Sequence, residues 1–192
     1  LGSSAAVTIA TLGALRRYAG QGRDGLHGVA LGLVREIQGR GSGADLAASL
    51  EGGVISYRGP PDGSIGRLPD PPPLSLKYCG YKTPTGVVLA KVAERMHSRE
   101  AEFAAIYSRM GDLADEAIAA AEAVDWGSFS AALDAYQTQM EALGVSDDAL
   151  SAIISEARAS AGSAAIKISG SGLGDCVVAV GDVPPGFTPV RI

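Results

Sequence analysis

Six of the ten prolines fall between Pro60 and Pro73, and none occurs from Thr85 to Val183. Proline lacks a backbone N–H and clashes with the carbonyl four residues earlier, so neither a helix nor a central strand runs through Pro69-Asp70-Pro71-Pro72-Pro73. The chain has to divide there, at a domain junction or a long edge loop. We expect one domain over 1–73 and a second over 74–192, the second carrying the long proline-free stretch in which helices can extend.

Composition narrows the class. With 46% apolar residues and a net charge of 16 − 21 = −5, the 192-residue chain is neither disordered nor too short for a core. Its 26 glycines follow no three-residue period, which excludes collagen. No run of Lys or Arg forms a basic stripe, so nucleic acid is not an expected partner. Gly, Thr and charges break every apolar run before it reaches a membrane span, so no membrane partner is expected either. The mild acidity is that of an ordinary cytoplasmic protein. Cys79 and Cys176 read as reduced, buried thiols, and they lie too far in sequence from His27 and His97 for a zinc site. The sequence opens at Leu1 inside a glycine–serine motif, without Met, signal peptide or tag, and reads as a cut chain or the C-terminal part of a longer one.

Periodicity predicts helices over 3–18, with Ser3 or Ser4 as N-cap, and over 28–37. A loop over 39–43, the segment ADLAASL and a strand at 54–58 follow. Beyond the prolines come a strand at 74–79, helices over 85–96, 99–124, 128–143 and 147–160 (the last capped by Ser146), and a strand–glycine loop–strand ending. A final strand is expected over 187–192. This is an α+β arrangement. Trp126 reads as a packing anchor, and His27 and His97 as surface or helix-end residues.

Three segments could carry chemistry. Leu1-Gly2-Ser3-Ser4-Ala5-Ala6 enters a helix, whose first free N–H groups suit a phosphate; the plain alternative is a serine cap. Gly41-Ser42-Gly43-Ala44-Asp45 places a carboxylate after a flexible loop, as a helix-start residue or as a base facing a hydroxyl. Gly170-Ser171-Gly172-Leu173-Gly174-Asp175 is followed by the strand pattern CVVAV rather than by a helix, so it is not a dinucleotide fingerprint. It is a hairpin loop or a loop supporting a phosphate. No Walker-type G-x-x-x-x-G-K-[ST] motif occurs.

In this order, the LGSSAA helix start, the GSG-x-D loop and the K-x-S-G-x-G-x-G-D-C turn resemble the GHMP kinases, from Leu1 to about Gly181. That family includes galactokinase, homoserine kinase, mevalonate kinase and phosphomevalonate kinase. The resemblance implies the C-terminal part of a ribosomal-S5-like first domain, followed by a ferredoxin-like α/β sandwich. It implies ATP and Mg²⁺ as cofactors and a small metabolite as acceptor, in a monomer or homodimer. Gly2, Ser3, Ser4 and Ala5 map onto the phosphate-wrapping motif, with Ser4 toward Mg²⁺. Asp45 maps onto the catalytic aspartate, with Ser42 and Gly43 beside the substrate. Gly170, Ser171, Gly172 and Gly174 map onto the C-terminal glycine loop at the nucleotide.

Gln38 to Asp45, LGSSAAVTIA, the Gly174-Asp175-Cys176 ending and GYKTPT at 80–85 look most like phosphomevalonate kinases, while GSGADLAAS followed by Gly52-Gly53 also suits mevalonate kinases. The Glu that binds metal in mevalonate kinases falls at Val34, with Glu36 two positions on. The expected acceptor is phosphomevalonate or mevalonate, in isoprenoid precursor synthesis. The alternatives are a sugar kinase of the same family or a non-catalytic nucleotide-binding relative. The family's earlier substrate-binding motif has no counterpart in residues 1–192, so these residues alone are expected to be inactive.

Overall fold

The computed structural model describes residues 2–39, 41–61, 63–160, 162 and 164–191. The expectations at Leu1, Arg40 and Ile192 lie outside them. Two units divide the chain, one running to Asp70 and the other Pro71–Arg191.

The first unit holds α1 (Ser3–Tyr18), α2 (Leu26–Gln38), α3 (Ala44–Glu51) and the hairpin β1 (Ile55–Arg58) and β2 (Ser64–Arg67). Ala5 and Ile9 of α1, Ala30 and Leu31 of α2 and Leu46 of α3 form its core, with Leu12, Val34 and Leu50 against it. Small residues at the contacts let three short helices approach closely. The strand β2 is not legible from periodicity, since Ser-Ile-Gly-Arg has no apolar alternation. Its ladder with β1, from Ile55 opposite Arg67 to Arg58 opposite Ser64, supplies the order.

The second unit packs α4 (Thr85–Met96), α5 (Glu100–Glu122), α6 (Trp126–Ala142) and α7 (Asp148–Ser160) with an antiparallel sheet. Its strands β3 (Leu74–Tyr78), β4 (Ala165–Ser169), β5 (Cys176–Val180) and β6 (Thr188–Val190) lie in the order β4-β5-β3-β6. Ile166, Ile168, Val177 and Ala179 alternate onto one face and meet Val88, Phe103, Met140, Leu150 and Ile154 from the helices. The α+β class expected from the sequence holds in both units. Asp147, rather than Ser146, caps α7: its Oδ1 accepts the Leu150 N–H at 3.0 Å, and the Ser146 hydroxyl pairs with that of Ser151. A carboxylate is the stronger acceptor at a positive helix end. Trp126 is half-buried, edge-on to Phe129 at 5.6 Å, as a packing residue should be.

The free edge of β4 is sealed by α6. Asp134 Oδ1 accepts the Ile166 N–H at 3.2 Å, and the buried Gln137 Oε1 accepts that of Ile168 at 2.8 Å. Between them Lys167 projects to the other face, over the Tyr136 ring at 5.3 Å, with its Nζ donating to the Ile168 carbonyl at 2.6 Å. Burial lowers this ammonium from its ordinary value to about 8. The unfolded chain keeps the proton up to about 10.5, so the folded chain releases it first and stability rises between those values. We therefore expect Lys167→Met to be more stable than wild type at pH 7 by about 1–2 kcal/mol, after discounting the lost hydrogen bond. The gap should close as pH rises through the window from 8 to 10.5 in denaturant titrations. A gap independent of pH would refute the assignment.

Candidate phosphate and acceptor site

The start of α1 leaves its first backbone donors open. Gly2, at φ 65°, is the N-cap and makes no side-chain capping bond; Ser3 and Ser4 lie inside the first turn instead of capping it. A left-handed φ at the cap suits glycine, which turns the chain without offering a side-chain acceptor. The N–H groups of Ser3, Ser4 and Ala5 therefore have no acceptor within the helix, and no carboxylate occupies the first turn. Ser3 and Ser4 are exposed, while Ala5 is buried in the core.

Asp45 stands in the first turn of α3, exposed, with Oδ1 accepting the N–H of Leu46 at 3.0 Å. Leu46, the next residue, and Ala5 belong to the same apolar cluster, so both helix starts are fixed by one core. Ser42 is exposed and Gly43 is buried. Gly43 has φ 87°, and a side chain there would press on Tyr57 Oη, His27 Nε2 and Leu31 Cδ1 at 2.8, 3.1 and 3.1 Å. His27 is half-buried against this loop, edge-on to Tyr57 at 5.5 Å, and stands in the first turn of α2, a helix-end residue as the sequence suggests. His97 is exposed at the end of α4, as expected.

Val34 is half-buried against the core, and Glu36 is exposed on α2. Two residues amount to about 200° of helix, so Glu36 leaves the face that carries Val34. No group of three or more His, Cys, Asp or Glu side chains able to hold a metal is present among the described residues. The free N–H groups at the start of α1 have the chemistry that suits phosphate oxygens.

In the second unit the glycine loop joins β4 to β5 as a hairpin. It is pinned from one side. Leu173 N–H donates to the Val145 carbonyl at 2.7 Å, Asp175 N–H to that of Tyr81 at 2.8 Å, and Cys79 N–H to that of Asp175 at 2.9 Å. Lys82 Nζ meets Asp175 Oδ2 at 3.0 Å. A hydrogen bond to the Asp147 carboxylate pushes the Tyr81 hydroxyl up to about 12. GYKTPT and the glycine loop, far apart in sequence, are therefore one structural element. Gly172 and Gly174 are buried against Val145 and Tyr81, whereas nothing stands within 4 Å of the open side of Gly170. Of the four loop residues expected at the nucleotide, Gly170 is exposed and Ser171 half-buried, and only these two present accessible surface.

Residues 1–53 match the family described as GHMP kinases N terminal domain, and residues 116–184 match GHMP kinases C terminal. The chain is 32% identical over 188 residues to a mevalonate kinase of Thermococcus sibiricus, covering 94% of this chain and 55% of that protein. It is 29% identical over 216 residues to a phosphomevalonate kinase of Streptomyces sp., covering 95% and 57%. The crystal structure of L. major mevalonate kinase in complex with R-mevalonate shares the fold, at a TM-score of 0.81 and 22% identity, covering 95% of this chain and 57% of that one. The chain spans just over half the length of the curated relatives it matches. With the ordered motifs, the matched fold and both family domains in agreement, the chain belongs to the GHMP kinase family.

Proposed function

We propose that this chain supplies part of an ATP-dependent kinase that transfers the γ-phosphate to a small metabolite, phosphomevalonate or mevalonate. The observation that carries this reading is the uncapped, carboxylate-free start of α1, fixed on the same core as the Asp45 turn. We assign residues 1–73 to the remainder of the ATP-binding N-terminal domain and 74–192 to the C-terminal domain of a cytoplasmic monomer or homodimer.

Phosphoryl transfer asks a protein for positioning, charge neutralisation and a proton acceptor rather than for covalent chemistry. The Ser3, Ser4 and Ala5 N–H groups donate to phosphate oxygens at the positive end of α1. The Ser4 hydroxyl would join the coordination of Mg²⁺, an ion that would neutralise phosphate charge. Asp45 orients the acceptor hydroxyl and takes up its proton. Gly170 and Ser171 line the nucleotide side, held in shape by the buried Gly172 and Gly174. A second reading, a nucleotide-binding relative without catalysis, is favoured by the apolar Val34 where mevalonate kinases carry a metal-binding Glu.

A panel of mevalonate, phosphomevalonate, galactose and homoserine, run on the intact gene product with ADP release as readout, tests the proposal. Acceptor-dependent release with one of the first two is expected. Release with galactose alone would move the assignment to the sugar kinases of the family. Nucleotide binding without release in any arm would favour the non-catalytic reading.

A further inference from the structure

Three consecutive carbonyls of the loop before Asp45 each accept a hydrogen bond from a different side chain. Arg35 Nε donates to Gly41 O at 3.1 Å, the Tyr57 hydroxyl to Ser42 O at 2.6 Å, and His27 Nε2 lies 3.0 Å from Gly43 O. A carbonyl only accepts, so Nε2 of His27 carries the hydrogen of this bond. Gly43 O also accepts the Ala47 N–H at 2.9 Å, the first bond of α3. The carbonyl that begins the helix of Asp45 is thus the one that His27 holds. An ordinary glycine loop has no such constraint, because its backbone samples both signs of φ.

We propose that His27 and Tyr57, assisted by Arg35, are positioning residues that fix the direction in which the Asp45 carboxylate is presented. This rests on the kinase reading only in the reaction that Asp45 serves. Two of the donors come from α2 and one from β1, so the loop is tied to both walls of its unit rather than to its own neighbours. The Gly43 backbone fills the space between the two rings, which explains a buried glycine between the exposed Ser42 and Ala44.

Tyr57→Phe keeps the ring and removes the donor. His27→Leu removes the donor, and His27→Gln restores an N–H of similar reach. In the intact gene product, amide exchange over residues 44–47 should accelerate about tenfold or more in Tyr57→Phe and His27→Leu, and remain near wild type in His27→Gln. Exchange in α5 and α6 should not change, which separates the effect from general unfolding. In turnover, kcat should fall about tenfold in the first two variants with the KM for ATP unchanged, and His27→Gln should recover it. Unchanged exchange in both donor-free variants would overturn the clamp whatever the activity. Faster exchange with unchanged kcat would overturn the positioning role. A wild-type protein without transferase activity whose loop still loosens in the variants would sink the kinase reading and leave the clamp standing.

Discussion

Asp45→Asn is expected to fold and bind ATP as wild type does, and to lose turnover by about 10²–10⁴-fold. The fold should tolerate the change because the carboxylate is exposed, and among the described residues its hydrogen bond comes from the adjacent Leu46 N–H, which an amide oxygen also accepts. Removing a negative charge from the first turn of α3 costs about 0.3–1 kcal/mol, too little to unfold the unit. Turnover is different, since a hydroxyl gains nucleophilic character only as its proton leaves and an amide does not accept that proton at neutral pH. The loss should be in kcat, with ATP affinity retained by direct titration. It should be smaller with a phosphomonoester acceptor, whose oxygens are already deprotonated near pH 7. Unchanged kinetics would remove Asp45 from the mechanism.

The second large effect is structural. Gly172→Ala is expected to destabilise the second unit by about 3 kcal/mol. The φ of 82° alone costs an L-residue about 1–2 kcal/mol. The new Cβ would also intrude on the Val145 carbonyl oxygen, with the Val145 Cβ and Cγ2 at 2.8 and 3.0 Å. Relief requires moving the carbonyl that accepts the Leu173 N–H, worth about 0.5–1.5 kcal/mol. For a chain of this size the melting temperature should fall by about 6–12 °C. Gly170→Ala is the control: its φ of 85° is similar, but the added methyl meets nothing within 4 Å. It should pay only the backbone term, about 1–2 kcal/mol. Equal melting temperatures for the two variants would mean that the packing on Val145 contributes nothing.

These contrasts mark what a single sequence reveals. Helices such as Thr85–Met96 are legible because their signals are local: apolar spacing, a preceding proline, a clear end. The motif order was also legible, since glycines and serines before a helix have a chemistry of their own. Competing local signals misled at the caps. Ser3, Ser4 and Ser146 are good capping residues, but Gly2 and Asp147 occupy the cap positions, and a neighbour one residue away is enough to displace them. The strand β2 was invisible because its order comes from its partner, not from its own residues. The clamp on the Asp45 loop was equally hidden. Tyr57 lies in a segment that reads as a plain strand and His27 at the start of a helix, and only the packing of α2 and β1 against α3 brings both to residues 42 and 43. Within the glycine loop, Gly170, Ser171, Gly172 and Gly174 are all small, and nothing local in the sequence sets one apart as buried. Tertiary contacts separate the two that pack from the two that stay accessible.

The central claim, γ-phosphate transfer from ATP to a small acceptor, is tested most directly by phosphorus NMR of the intact gene product with ATP, Mg²⁺ and either mevalonate or phosphomevalonate. The expected result is loss of the ATP γ-resonance with growth of a phosphomonoester signal from the first acceptor, or of a coupled diphosphate pair from the second. Appearance of inorganic phosphate alone, or ATP that persists with both acceptors, would contradict it.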